Sequence, residues 1–191
     1  MSRKIYEKFY ENPGTKNDII STLIKLDENS LNRNALIISQ NMIAEFTRFV
    51  FGKPLPSFVL SDKSGRQLSI SYFKGEFVYI QFFHAKSFAS VQQMAFLKNY
   101  HDNKIPKLNV VTIFVGNNIE EMKSFLSSNT GYQWTFLFCS KKDELLKKYD
   151  IKVYPTYFLI DPEGNLAIEQ TPSPVQNFEV VYNQQYKKWF D

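Results

Sequence analysis

The stretch FVYIQFF, residues 77–83, constrains this chain more than any other. Only Gln81 interrupts a run of apolar and aromatic side chains. A run this short and this greasy reads as a strand covered on both faces. Such a strand needs packed layers above and below it. Two further runs, NVVTIFVG and TFLFCS, have the same character. Between them lie helix patterns: about Phe88 to Tyr100, then a segment carrying Ile119, Met122, Phe125 and Leu126, then KDELLKKYD. SFVLSDKSGRQLSI reads as two short strands around a Ser64-Gly65 turn. TYFLIDPEGNLAIEQ reads as a hairpin turning at Pro162-Glu163-Gly164, and a last helix spans about Val175 to Trp189. Strands alternating with helices predict a three-layer α/β domain with a mixed β-sheet.

The 191 residues suffice for one such domain with a helical appendage. The 18 Phe, 11 Tyr and 2 Trp supply large core side chains. A net charge of +4, from 23 basic and 19 acidic residues, is too balanced for a nucleic-acid partner. The densest charge run, SKKDELLKKYDIK, alternates in sign. It places Asp143 and Glu144 four residues before Lys147 and Lys148, as on a solvated helix face. No apolar run approaches the roughly 18 residues of a membrane span. The first residues, MSRKIYEKFYENPG, lack the apolar core of a signal peptide, as in a cytosolic protein or a piece of a larger one.

Residues 17–52 read as a helical hairpin. Ile19, Ile20, Leu23 and Ile24 form one apolar stripe. Leu31, Ala35, Ile38, Met42, Phe46 and Phe49 form a second. Asn29-Ser30 offers capping between them, and Gly52 with Pro54 marks the end of the second helix. The expected division is therefore a helical segment over 1–51 and an α/β domain over 52–191.

Two segments carry a resemblance. GKPLPSFVLSDKSGRQLSISYFKGEFVYIQFF looks like the entry hairpin, Lys-Gly turn and central strand of the thioredoxin-like fold. YDIKVYPTYFLIDPEGN looks like that fold's cis-proline segment, with Pro155 in the cis position. Together they anchor residues 52–172. More narrowly, the chain resembles the cell-envelope thiol–disulfide oxidoreductases of the TlpA/ResA type, relatives of the alkyl hydroperoxide reductase and thiol-specific antioxidant group. The resemblance implies a periplasmic or other envelope setting. It also implies that residues 1–51 end an upstream domain.

In that family the strand-to-helix junction carries Cys-x-x-Cys. Here Ser87-Phe88-Ala89-Ser90 fills the motif, and Lys86 stands where an aromatic residue precedes the first cysteine. A cysteine at a helix N-terminus becomes a thiolate because the helix dipole and free N–H groups lower its pKa. A serine there is far less acidic, and no base adjoins it in the sequence. Two serines also cannot form a disulfide. Ser87 is expected to cap a helix, and no residue is assigned a catalytic role. Peroxidase chemistry fails for want of the same thiol.

What the resemblance leaves is a groove. Lys86, Tyr154, Pro155 and Thr156 would line it, with Tyr154 offering backbone groups to an extended polypeptide partner. The lone Cys139 ends an apolar strand and reads as a small buried hydrophobe. The competing reading is a divergent oxidoreductase that uses Cys139 or a partner's thiols. His84 and His101 lack ligand-spaced companions, so neither a metal nor a cofactor is expected.

Overall fold

The computed structural model describes residues 20–21, 23–25, 33–47 and 49–191. The chain divides into two compact units, Met1–Val50 and Phe51–Asp191.

In the first unit, residues 20–21 and 23–25 are helical, and helix α1 spans Arg33–Thr47. Leu23 and Met42 are buried, whereas Ile24 and Ile38 of the expected stripes are exposed. Ile19, Leu31 and the Asn29-Ser30 cap lie outside the described residues. Helix α1 stops at Thr47, five residues short of Gly52. Gly52 instead adopts a left-handed φ of +72° in a separate turn, so it is not the helix-ending residue that the sequence suggested.

The second unit is built on a six-stranded mixed sheet. Its strands are β1 (Leu60–Asp62), β2 (Gln67–Leu68), β3 (Phe77–Phe83), β4 (Leu108–Gly116), β5 (Thr135–Ser140) and β6 (Thr156–Ile160). They run in the order β2-β1-β5-β4-β3-β6. β3, β4 and β5 are parallel; β6 and the β1–β2 hairpin are antiparallel. All seven residues of β3 are buried, as the FVYIQFF run required. Helices α2 (Phe88–Asp102), α3 (Ile119–Ser128), α4 (Glu144–Lys148) and α5 (Phe178–Phe190) connect and close it. This is the three-layer α/β architecture with a mixed sheet, and it carries the expected N-terminal hairpin.

The face under α2 and α5 is aromatic. Helix α2 buries Ser90, Met94, Leu97 and Tyr100, at helical spacing. Helix α5 buries Phe178 and Tyr182 one turn apart. Tyr79 on β3 stacks between Phe178 and Tyr157, with ring centroids 3.8 and 5.1 Å away. Buried hydroxyls need partners, and here proline-rich loops supply them. Tyr79 donates to the Pro172 carbonyl at 2.7 Å, Tyr149 to Pro56 at 2.8 Å and Tyr182 to Pro106 at 2.5 Å.

One polar chain crosses this apolar layer. Trp134 Nε1 donates to Thr112 Oγ1 at 2.9 Å, and Thr112 donates to Gln81 Oε1 at 3.3 Å. Gln81 Nε2 donates to the Tyr157 hydroxyl at 3.0 Å, and Tyr157 donates to Gln93 Oε1 at 2.7 Å. Both polar atoms of the amide that interrupts FVYIQFF thus find partners.

Four local expectations need correction. The 156–170 hairpin is one strand and a bridged arm. Asn165 and Leu166 make only isolated bridges, because Leu166 is shared with Gly52 and Lys53 on the far side. The last helix starts at Phe178, three residues late, because Asn177 turns left-handed at φ 61°. A 3₁₀ turn, Ile70–Phe73, follows β2 where a strand was expected to run on. Asp143 does not serve mainly as an i, i+4 partner. It caps α4, accepting the Leu145 N–H at 2.8 Å.

Candidate functional site

The carboxyl ends of β3, β4 and β5 all reach one edge of the sheet. Open α/β folds gather ligands at this edge. β3 passes through His84, Ala85 and Lys86 into α2, and Ser87 is the N-cap of that helix. The Ser87 hydroxyl accepts the Ser90 N–H at 3.3 Å and donates to the Tyr154 carbonyl at 2.8 Å. Both oxygen functions are therefore engaged. Tyr154 immediately precedes Pro155, and the peptide between them is cis. Two segments 67 residues apart in sequence thus meet through one serine hydroxyl.

Ser90 lies one turn into α2 with 0% exposure. Its hydroxyl is the one buried side-chain polar atom without a hydrogen-bond partner among the described residues. A small apolar atom or a sulfur would suit this place better, since an unpaired buried hydroxyl costs about 1–3 kcal/mol.

Between the two serines, Phe88 is 76% exposed at the first position of the helix. Val153, across the gap on the Tyr154 side, is 68% exposed. Ala89 is exposed and Pro155 half-buried. Phe88 neither folds into the gap nor packs into the core. The Tyr154 N–H makes no hydrogen bond among the described residues, and its carbonyl has accepted only Ser87. Thr156 donates its hydroxyl to the Val153 carbonyl at 2.7 Å and so belongs to the loop's own scaffold.

His84 stands beside this gap. Its ring lies 5.4 Å from the Tyr154 ring, and its Nδ1 accepts the Lys86 N–H at 3.1 Å. Burial, then the ammonium groups of Lys141 and Lys86, hold its pKa below the ordinary histidine value. It is therefore neutral at pH 7. It makes no contact with the Ser87 hydroxyl, which already donates to Tyr154, so no base activates that serine.

Cys139 is fully buried near the end of β5. Burial, reinforced by the Asp143 carboxylate, pushes its thiol up to about 12. At pH 7 the thiol therefore stays protonated, and the thiolate that exchange chemistry requires is scarce. Among the described residues no group of three or more His, Cys, Asp or Glu side chains is arranged to hold a metal. No described helix is long and apolar enough to cross a membrane.

Ser87 and Tyr154 meet, and Phe88 and Ala89 lie on the surface between the serines. The part that sequence reasoning missed is His84. Without ligand-spaced companions in the sequence, it nevertheless forms a wall shared by the gap and the adjoining sheet edge. The signal was positional: HAK and SKK both follow buried parallel strands, so both must emerge at the same edge.

The parallel β3-β4-β5 core, the antiparallel β6 and the α2 corner facing a proline loop define a thioredoxin-like domain. The Redoxin family profile matches residues 51–184, well over half of the chain, and the chain belongs to the Redoxin family. It is 28% identical over 136 residues to the thiol-disulfide oxidoreductase ResA of Bacillus subtilis (strain 168), covering 70% of this chain and 71% of that protein. The ResA of Geobacillus kaustophilus is 25% identical over 131 residues, covering 68% and 74%. A solution structure of a thiol:disulfide interchange protein from Bacteroides sp. superposes with a TM-score of 0.61 at 23% identity, covering 74% of this chain and 91% of that one. The thioredoxin domain of a Bacteroides vulgatus thiol-disulfide oxidoreductase gives 0.60 at 22% identity, covering 71% and 98%. The structural likenesses speak for the fold.

Proposed function

We propose that this Redoxin-family domain is redox-silent at its strand-to-helix corner and acts there as a binding or scaffolding module for an extended polypeptide. The observation that carries this reading is the state of Tyr154. Its carbonyl is steadied by Ser87 while its N–H is left unpaired beside an exposed Phe88 and Val153. An extended segment can pair with such a backbone as an added strand and lay apolar side chains on the flanking surface. The serines themselves support silence, since neither position can form a disulfide. Likeness to the envelope thiol–disulfide branch supports an extracytoplasmic setting.

The alternative, exchange chemistry through Cys139, is disfavoured by that thiol's burial and raised pKa. One experiment addresses both readings. The ¹⁵N-labelled protein is titrated with a capped, cysteine-free extended peptide, and the same preparation is assayed for reduction of a disulfide substrate. Shifts are expected at Tyr154, Ser87 and Phe88, with no turnover. Turnover that disappears in Cys139→Ala would refute the silent reading. The absence of shifts at Tyr154 would refute the groove.

A further inference from the structure

Beside the groove, His84, Lys86, Glu121 and Lys141 line a cavity of about 500 Å³ at the carboxyl ends of the parallel strands, with Phe114 and Val115 as apolar lining. Its charges are unevenly committed. The Glu121 carboxylate is occupied by the loop just before its helix: Asn117 N–H reaches Oε2 at 3.1 Å and Asn117 Nδ2 reaches Oε1 at 2.5 Å. Gly116 lets this carboxylate settle, because a Cβ there would meet Glu121 Oε2 at 2.9 Å. Glu120 pairs with Lys123 at 2.8 Å. Lys86 and Lys141, by contrast, form no ion pair among the described residues. Both ammonium groups act on His84 and on Glu121, so the two flank the same space. His84 adds a third donor. It is neutral and its Nδ1 accepts the Lys86 N–H, so its proton sits on Nε2.

We propose that this cavity receives a carboxylate of the partner segment, held by Lys86 and Lys141 with His84 Nε2–H as a further donor. The inference rests on the groove reading above, because His84 forms a wall of the cavity while its ring faces Tyr154. The ligand class is then an acidic extended peptide: an Asp or Glu side chain close to an apolar residue that lies against Phe88 and Val153. Both lysines are solvent-exposed, so the contribution is one of selectivity and is weakened by salt.

The test uses the full chain and three probes: the capped peptide acetyl-Ala-Phe-Ala-Glu-Ala-amide, its Gln counterpart, and glutarate alone. The Glu peptide is expected to bind about three- to tenfold tighter than the Gln peptide in low salt, the range of a solvent-exposed charge-assisted contact. The combined variant Lys86→Met, Lys141→Met should bring that ratio to one while the Tyr154 and His84 resonances show the fold intact. Equal binding of the two peptides, with shifts at Tyr154, would overturn the carboxylate pocket and leave the groove standing. Should neither peptide bind, the groove reading fails and glutarate decides the pocket. A His84 ring shift that the double variant abolishes supports the pocket. No such shift overturns it.

Discussion

The corner at the start of α2 and the polar chain beneath it use similar atoms in opposite ways. In the chain from Trp134 through Thr112, Gln81 and Tyr157 to Gln93, each group has a partner, although all but the half-buried Gln93 is sunk in aromatic packing. At the corner the half-buried Ser87 is satisfied, but the fully buried Ser90 is not. Phe88, large and apolar, is left in water. The interior is consistent at every level, as a stable native state requires. The corner keeps an orphaned hydroxyl and an exposed aromatic ring, two local conflicts that the interior lacks. Burial of a hydroxyl is tolerable only when its hydrogen bonds are replaced, and the two regions differ in that respect.

The comparison is broken most severely by alkali. Burial raises Tyr79, Tyr149 and Tyr157 above the ordinary phenol value of 10.0. The unfolded chain releases these protons at about pH 10 and the folded chain only well above it, so their stabilisation is complete below pH 10 and lost as pH rises. Each tyrosine should remove about 1.4 kcal/mol per pH unit beyond that point. Urea unfolding between pH 9 and 11 checks this; a flat profile would mean that these hydroxyls are not buried. Thr112→Val is next. It keeps the shape but leaves Trp134 Nε1 and Gln81 Oε1 unpaired, and should cost about 2–4 kcal/mol in the same assay. Ser90→Ala goes the other way and should stabilise the domain by about 1 kcal/mol, because no bond is lost. A loss of stability there would show that the Ser90 hydroxyl has a partner after all. Ser87→Ala should cost about 1 kcal/mol through the cap and should loosen the Tyr154 loop, seen as faster amide exchange at Tyr154. Phe88→Ser should change stability by less than about 0.5 kcal/mol while weakening peptide binding, which separates surface from scaffold.

Much of this was legible along the chain. FVYIQFF, NVVTIFVG and TFLFCS gave three central strands because a run of apolar residues has little choice but burial. Ser87 could be placed as a cap because serine at a strand-to-helix junction has one favourable local role. What escaped was set by contacts distant in sequence. Gly52 is drawn from a helix end into a turn whose N–H bonds to Leu166, and Leu166 in turn is drawn out of a regular hairpin. Asn177 delays α5 by adopting a left-handed conformation that no periodicity encodes. The partner of the Ser87 hydroxyl, 67 residues away, is fixed by the fold and not by any local pattern. The unmatched Ser90 hydroxyl and the cavity beside His84 required the folded geometry.

The bridged arm after β6 has a consequence for the chain in crowded solution. At one edge of the sheet, β2 is two residues long. At the other, β6 is overlaid: Ala167 N–H bonds to the Leu159 carbonyl at 2.8 Å, and Leu159 N–H to Thr171 Oγ1 at 2.9 Å. Neither margin offers a long run of unpaired amides, so copies of the domain have no template on which to stack strand upon strand. The unpaired Tyr154 N–H before Pro155 is a single donor, too brief a step to seed a fibre.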